Sequence, residues 1–268
     1  MAVPFLYKYL PESLGFLMAR NNKKRIGQVI AQIDPSYTPR DEDEYEMTVP
    51  PKTGIPVKKL FENGRTISTV LFWLNFFLCL LITYGLGTWL PKLMTEAGYG
   101  FGSSLTFLLA LNIGGIFGSL IGGWLADRWS TKRVLTIFFC LNAISLTVMG
   151  MQPTIIVLYL FVAVAGATSI GSQIILYSFA SQFYPTEVRS TGVGWASGVG
   201  RIGGIIGPML GGALLALSLP FQQNFMVLAV PGLLAAIAVA FIYEKSPSKN
   251  LVRVVNKRYK ATGDLVEK

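Results

Sequence analysis

The chain has 268 residues, 52% of them hydrophobic and only 14% charged, with a net charge of +9. Soluble domains run near a quarter charged, and this deficit excludes an ordinary soluble fold. Two cysteines and no histidine leave no zinc-type Cys/His spacing.

The charges are also unevenly spread. No Asp, Glu, Lys or Arg occurs within 66–91, 97–126, 134–186 or 202–243. A hydrocarbon core about 30 Å thick takes roughly 20 apolar residues at 1.5 Å each. All four stretches reach that length, and the last two are long enough for two passes each. The chain is therefore read as a polytopic membrane protein, not a nucleic-acid binder, because its basic residues flank hydrophobic spans.

In chain order, residues 1–62 are expected to form a cytoplasmic segment, lying on the membrane surface or against the cytoplasmic loops. The run 2–10 holds Lys8 and has no basic stretch before it, unlike a signal peptide. "LPESLGFLMARNNKKRIGQVIAQI" spaces its apolar residues as an amphipathic helix with a basic face. "DPSYTPRDEDEYEMTVPPKTGIP" is acidic and proline-rich, a linker composition. A transmembrane domain over 63–245 follows, with spans expected at 67–90, 104–125, 134–151, 154–177, 191–216 and 221–243. Residues 246–268 are a basic tail. The short connectors "MGMQP" and "LSLP" supply the turn residues between consecutive spans.

Ten Lys/Arg precede the first span, three lie in the 126–133 loop, one is Arg189, and seven follow Tyr243; the opposite side has only Lys92. The positive-inside rule puts both termini, and the loops after spans two and four, in the cytoplasm.

Two charged segments stand out. In "GGWLADRWSTKR", Asp127 and Arg128 end the second span. A carboxylate there can accept hydrogen bonds from the free N–H groups of a neighbouring helix N-terminus, forming a releasable latch. Lys132 and Arg133 serve equally as plain anchors. In "YPTEVRSTGVGWASG", Glu187 and Arg189 are the only charges, placed to pair with Arg128 or Asp127 in a gating network.

Arg201 lies about ten residues into its span, roughly 15 Å deep. A charge there costs about 2.5–3.5 kcal/mol on insertion scales, and arginine does not escape by deprotonating. No acid sits at comparable depth in any span. Gly194, Ser197, Gly198 and Gly204 clear the surrounding helix face. The guanidinium fork suits a carboxylate held bidentately; the alternative partner is an acid or carbonyl of another half.

Gln173 and Tyr177, four residues apart on one helix face with Ser169, are candidates for the same cavity, as are Asn112 and Asn75; for the amides, interhelical hydrogen bonding is the alternative. Asn142 ranks lower. Phe72, Trp73, Phe76, Phe77 and Tyr84 form either a ring-stacking wall or a lipid face. Gly114, Gly118, Gly122 and Gly203, Gly207, Gly211 recur at four-residue spacing, a helix-packing pattern, and Pro208 is expected to bend the fifth span.

"LPESLGFL", "GGWLADRWSTKR" and "YPTEVRSTGVGWASGVGRIGGIIGPMLGG" together resemble the C-terminal half of a major facilitator superfamily transporter. The last segment is similar to the aromatic acid:proton symporter family. Ser130 and Thr131 depart from the glycine and arginine usual in the family's signature loop. The resemblance implies an all-α, six-transmembrane-helix bundle corresponding to helices 7–12, built of 3+3 inverted repeats. It implies no enzyme activity and no cofactor: proton-coupled uptake of a small aromatic carboxylate, driven by the proton gradient. It also implies a bacterial cytoplasmic membrane, and a partner in the form of an N-terminal six-helix half or a second copy. The family's first-helix aspartate would lie in that other half, so the chain is expected to be incomplete alone. The other class of function is a non-transporting membrane sensor that retains the ligand site.

Overall fold

The computed structural model describes residues 24–26, 28–29, 57–185, 187–217 and 220–243. The chain divides into two compact units, Met1–Thr53 and Gly54–Lys268. In the first unit, residues 24–26 and 28–29 are helical. The rest of the expected amphipathic helix, the acidic linker up to residue 56 and the basic tail 246–268 lie outside the described residues.

In the second unit a 3-10 turn, Lys58–Leu60, leads into six α-helices: α1 (Thr66–Glu96), α2 (Phe101–Arg128), α3 (Thr131–Gly150), α4 (Ile155–Phe183), α5 (Arg189–Ala216) and α6 (Phe221–Phe241). A helix stands at each expected span, within a few residues at most ends. The turn before α1, expected within the 1–62 segment, belongs instead to the bundle. Leu60 is fully buried in the core. The Thr69 hydroxyl donates to the Leu60 carbonyl at 3.0 Å, and Arg65 Nη2 donates to the Lys59 carbonyl at 2.7 Å.

Among the described residues, five helices are long and apolar enough to cross a membrane: α1, α2, α3, α4 and α6. Glycines and Arg201 dilute the apolarity of α5, yet its 28 residues extend roughly 42 Å. The α1–α2 turn carries Gly98 at φ +94, a left-handed conformation that side chains disfavour.

The packing has an internal symmetry. The closest pairs are α1 with α5, α2 with α4, and α3 with α6, followed by α3 with α4 and α1 with α6. Exchanging α1–α3 for α4–α6 turns α1·α5 into α4·α2 and α3·α4 into α6·α1, and leaves α3·α6 unchanged. This is the contact pattern of two three-helix repeats. Successive contacts of α5 on α1 ascend together (Gly200 on Phe76, Gly203 on Phe77, Gly207 on Leu81), so these helices are parallel. The same holds for α2 on α4, with Gly114 on Ala163 and Gly118 on Ala167. The starts of α1, α3 and α5 and the ends of α2, α4 and α6 therefore gather at one end of the bundle. It carries Arg65, Arg128, Lys132, Arg133 and Arg189 and is called the basic end below.

The two glycine triplets perform equivalent jobs in the two repeats. A Cβ on Gly114 or Gly118 would collide with the Ala163 or Ala167 carbonyl. A Cβ on Gly203 or Gly207 would collide with the Phe77 or Leu81 carbonyl. The third glycine of each, Gly122 and Gly211, makes room for side chains, Ile175 and Trp89. In hydrocarbon there is no hydrophobic force to join helices, and this close backbone approach supplies the dispersion contact instead. The helix α5 continues through Pro208, whose carbonyl accepts the Trp89 indole N–H at 2.6 Å.

Candidate substrate site

Arg201 is the thirteenth residue of α5. Its side chain is exposed and has no hydrogen bond or ion pair among the described residues. The α1-facing side of α5 is marked by Gly200, Gly203 and Gly207. Arg201 stands beside it, on a face shared with exposed Gly194, Gly198 and Ile205. Nothing lies within 4 Å of where a Cβ would sit on Gly194 or Gly198, so the space beside the guanidinium is open.

Two aromatic residues border that space. One turn toward the basic end, the Tyr177 hydroxyl and Ser197 Oγ are hydrogen-bonded at 2.8 Å, linking α4 to α5. Tyr177 also rests edge-on against Phe76, with centroids 4.9 Å apart. One turn the other way, the Tyr84 ring lies against Gly204, 3.2 Å from its ideal Cβ, and Tyr84 is 41% exposed. Because α4 runs antiparallel to α5, one turn from Tyr177 reaches Gln173 as one turn from Ser197 reaches Arg201. Gln173 is half-buried and has no partner among the described residues. The fold thus brings Arg201, Gln173 and Tyr177 to one side of the α4–α5 seam, with Tyr84 beside them.

The other two expected cavity residues are elsewhere. Asn75 is fully buried and donates Nδ2 to the Leu71 carbonyl at 2.8 Å. Nine residues at 100° each put it on the opposite face of α1 from Tyr84. Its Oδ1 is buried without a partner among the described residues. Asn112 is exposed and bonds back to the Leu108 carbonyl of its own helix at 2.7 Å. Gly122 lies against Ile175 and so marks the level of Gln173 on α2. Asn112 is ten residues earlier, roughly 15 Å away along the axis.

Asn142 joins helices: its Nδ2 donates to the Ala165 carbonyl at 3.2 Å and to Thr168 Oγ1 at 3.1 Å. Phe72 and Phe76 are fully buried core residues, neither a cavity wall nor a lipid face. The sequence reading missed a stack of Trp73 on Trp195, 5.8 Å between centroids. Its only signal was two tryptophans at matching depth near the starts of two parallel helices.

At the basic end, Asp127, Arg128, Glu187 and Arg189 are all exposed, and among the described residues no ion pair joins them. The expected internal network is not formed. The reason is topological: α2 packs on α4 and α5 packs on α1, so the end of α2 and the start of α5 occupy opposite flanks. Arg128 instead folds back over the Trp124 ring, 4.4 Å from its centroid. Arg189 Nε donates to the Tyr184 carbonyl at 3.4 Å. Burial pushes the Tyr184 phenol above its ordinary value, partly offset by the Thr69 hydroxyl and the Arg65 charge. Its O–H donates to Thr69 Oγ1 at 3.2 Å, tying the α4–α5 turn to α1.

Apolar helices packed as two three-helix repeats, with a mid-helix cation exposed on one face, have the architecture of one half of a membrane-transporter fold. Residues 72–261 match the Major Facilitator Superfamily model. The chain is 41% identical to the benzoate transport protein of Acinetobacter baylyi over 242 residues, 90% of this chain and 52% of that protein. It is 40% identical to the gentisate transporter of Corynebacterium glutamicum over 183 residues, 68% of this chain and 41% of that protein. It is 33% identical to the 4-hydroxybenzoate transporter of Pseudomonas aeruginosa over 244 residues, 89% of this chain and 54% of that protein. The chain belongs to the Major Facilitator Superfamily. It is an integral membrane protein of a transporter family, not an enzyme, and it spans about half the length of the curated relatives it matches.

Proposed function

We propose that this chain is the C-terminal half of a proton-coupled transporter that takes up an aromatic carboxylate by alternating access. The observation that carries the reading is Arg201: mid-helix, exposed and unpartnered among the described residues. A guanidinium in that position needs an anion, and its planar fork fits a carboxylate. Gln173 adds an amide and Tyr177 a hydroxyl at the same seam, while the Tyr84 ring offers a face for an aromatic substrate. The names of the relatives, carriers of benzoate, gentisate and 4-hydroxybenzoate, support the same substrate class.

The site is open on the side where a second half would close it. That half, on the same or another polypeptide, supplies the remaining wall and the proton-coupling acid, and the proton gradient drives uptake. Asp127, Arg128, Glu187 and Arg189 contact that half rather than one another and act as gate contacts. The basic end faces the cytoplasm of a bacterial cell.

The test is uptake of labelled benzoate into vesicles containing this half joined to a six-helix N-terminal half. Uptake is expected to require the proton gradient and to collapse with a protonophore. Arg201→Ala should lower it by about two orders of magnitude, the scale of a lost charge-assisted bidentate contact. Undiminished uptake by Arg201→Ala overturns the substrate assignment, and gradient-driven uptake by this chain alone overturns the half-transporter reading.

A further inference from the structure

We propose that a groove between α3 and α6 at the basic end binds the headgroup of an anionic phospholipid. The groove has a volume of about 500 Å³ and is lined by Ser130, Lys132, Arg133, Thr136, Ile137 and Ala240. Two of these six are cations and none is an acid. Lys132 Nζ donates to the Ile242 carbonyl at 2.7 Å. This contact fixes the ammonium at the groove, and two of its three donors remain for a ligand. Arg133 is exposed with no partner among the described residues, so its fork is available for a phosphate. The Thr136 hydroxyl already donates to the Lys132 carbonyl at 2.9 Å and offers its oxygen as an acceptor.

The walls favour a lipid over a free anion. Arg133 begins a stripe at helical spacing that continues through Ile137, Leu141 and Ile144, which are 44%, 40% and 53% exposed. On α6, Leu233 and Ile237 are 53% and 52% exposed. Two apolar ridges thus run from the cationic groove into the membrane-spanning part of the bundle, a headgroup site continuous with a track for acyl chains. Helices α3 and α6 pack closely on each other, and neither packs closely on α5. The groove is therefore separate from the Arg201 face. The inference rests on the membrane-spanning reading of the helices and not on which side the basic end faces. Each juxtamembrane cation contributes on the order of a fivefold gain in affinity for an anionic lipid surface.

The test uses the full chain in neutral detergent, titrated with phosphatidylglycerol or zwitterionic phosphatidylethanolamine. Retained lipid is counted by native mass spectrometry. Preferential retention of phosphatidylglycerol is expected, falling roughly fivefold in Arg133→Gln and unchanged in Lys92→Gln at the opposite end. Ala240→Trp keeps both cations but fills the groove, and it too should lose the preference. Persistence of the preference in both Arg133→Gln and Ala240→Trp overturns the proposal. So does displacement of the lipid by millimolar inorganic phosphate, which would make this a free-anion site. Labelling of Ser130→Cys from either side of a sealed vesicle tests the cytoplasmic orientation separately.

Discussion

At the residue scale, the molecule contrasts two ways of placing a polar side chain in a membrane helix. Asn142 donates its Nδ2 across helices to Ala165 and Thr168, a bond worth about 0.6–2 kcal/mol to the bundle, while its Oδ1 is buried without a partner among the described residues. Arg201 has no such partner among the described residues, and in the proposed function a bound carboxylate offsets its cost. Charge alone is not enough to meet it in the proposed role. Arg201→Lys keeps the charge but loses the two-pronged fork, and benzoate KM in the completed transporter should rise about tenfold with the protein still folded. Asn75 makes no bond between helices: its Nδ2 donates within α1 and its Oδ1 is buried without a partner among the described residues, so Asn75→Leu removes a desolvated group at similar volume. Thermal stability of Asn75→Leu in detergent is expected to be equal or higher, with substrate affinity unchanged. A loss of affinity would return Asn75 to the site. All of these residues were visible in the sequence as polar groups in apolar spans. What separates Gln173 from Asn75 is the face each presents to its neighbours, and that depends on the register set by contacts such as Tyr177–Ser197.

At the scale of helices, the glycine triplets carry the prediction. Gly118→Val drives a side chain into the Ala167 backbone, and Gly207→Val drives one into Leu81. Backbone cannot step aside as a flexible side chain does. Each substitution should cost roughly 1–3 kcal/mol or more, seen as a lower melting temperature and poor yield. Gly123 has nothing within 4 Å of an added Cβ, and Gly123→Ala should melt like the parent chain. The α4–α5 turn has its own signature. With its phenol raised above the ordinary 10.0, Tyr184 binds its proton more tightly folded than unfolded. Its stabilisation is therefore complete below about pH 10 and lost as the pH climbs through the folded value. Melting curves of the parent chain and Tyr184→Phe, followed from about pH 8 to 11, should converge at the alkaline end. A constant gap between them would assign Tyr184 no part in alkaline loosening.

At the scale of the whole molecule, the proposed function joins the charges at the basic end to the open Arg201 face. Exposed Asp127 at the end of α2 and Glu187 beside the start of α5 sit on opposite flanks of the bundle, and in that reading they serve contacts with a second half. If Asp127 latches a helix N-terminus of the second half, Asp127→Asn should slow turnover in the completed transporter several-fold, at little cost to benzoate affinity, by weakening one gate state. Equal turnover would reduce Asp127 to a surface charge.

Much of this architecture follows from composition and spacing alone. Uncharged runs longer than a bilayer is thick fix the number of helices and nearly their ends. The skewed Lys/Arg count marks one end of the bundle, and glycine at every fourth residue predicts tight helix pairs. These are local or one-dimensional signals, and a membrane enforces them because every backbone polar group must be satisfied within its own helix. The tertiary structure decided the rest. It paired α1 with α5 and α2 with α4, which separated the charges once expected to form one network. It turned Asn75 into the core, left Asn112 far along α2, and set Gln173 and Arg201 each one turn from the Tyr177–Ser197 bond. A helical period gives each residue an angle on its own helix. It does not say which neighbour lies at that angle, or at what height, and a binding site is made from both.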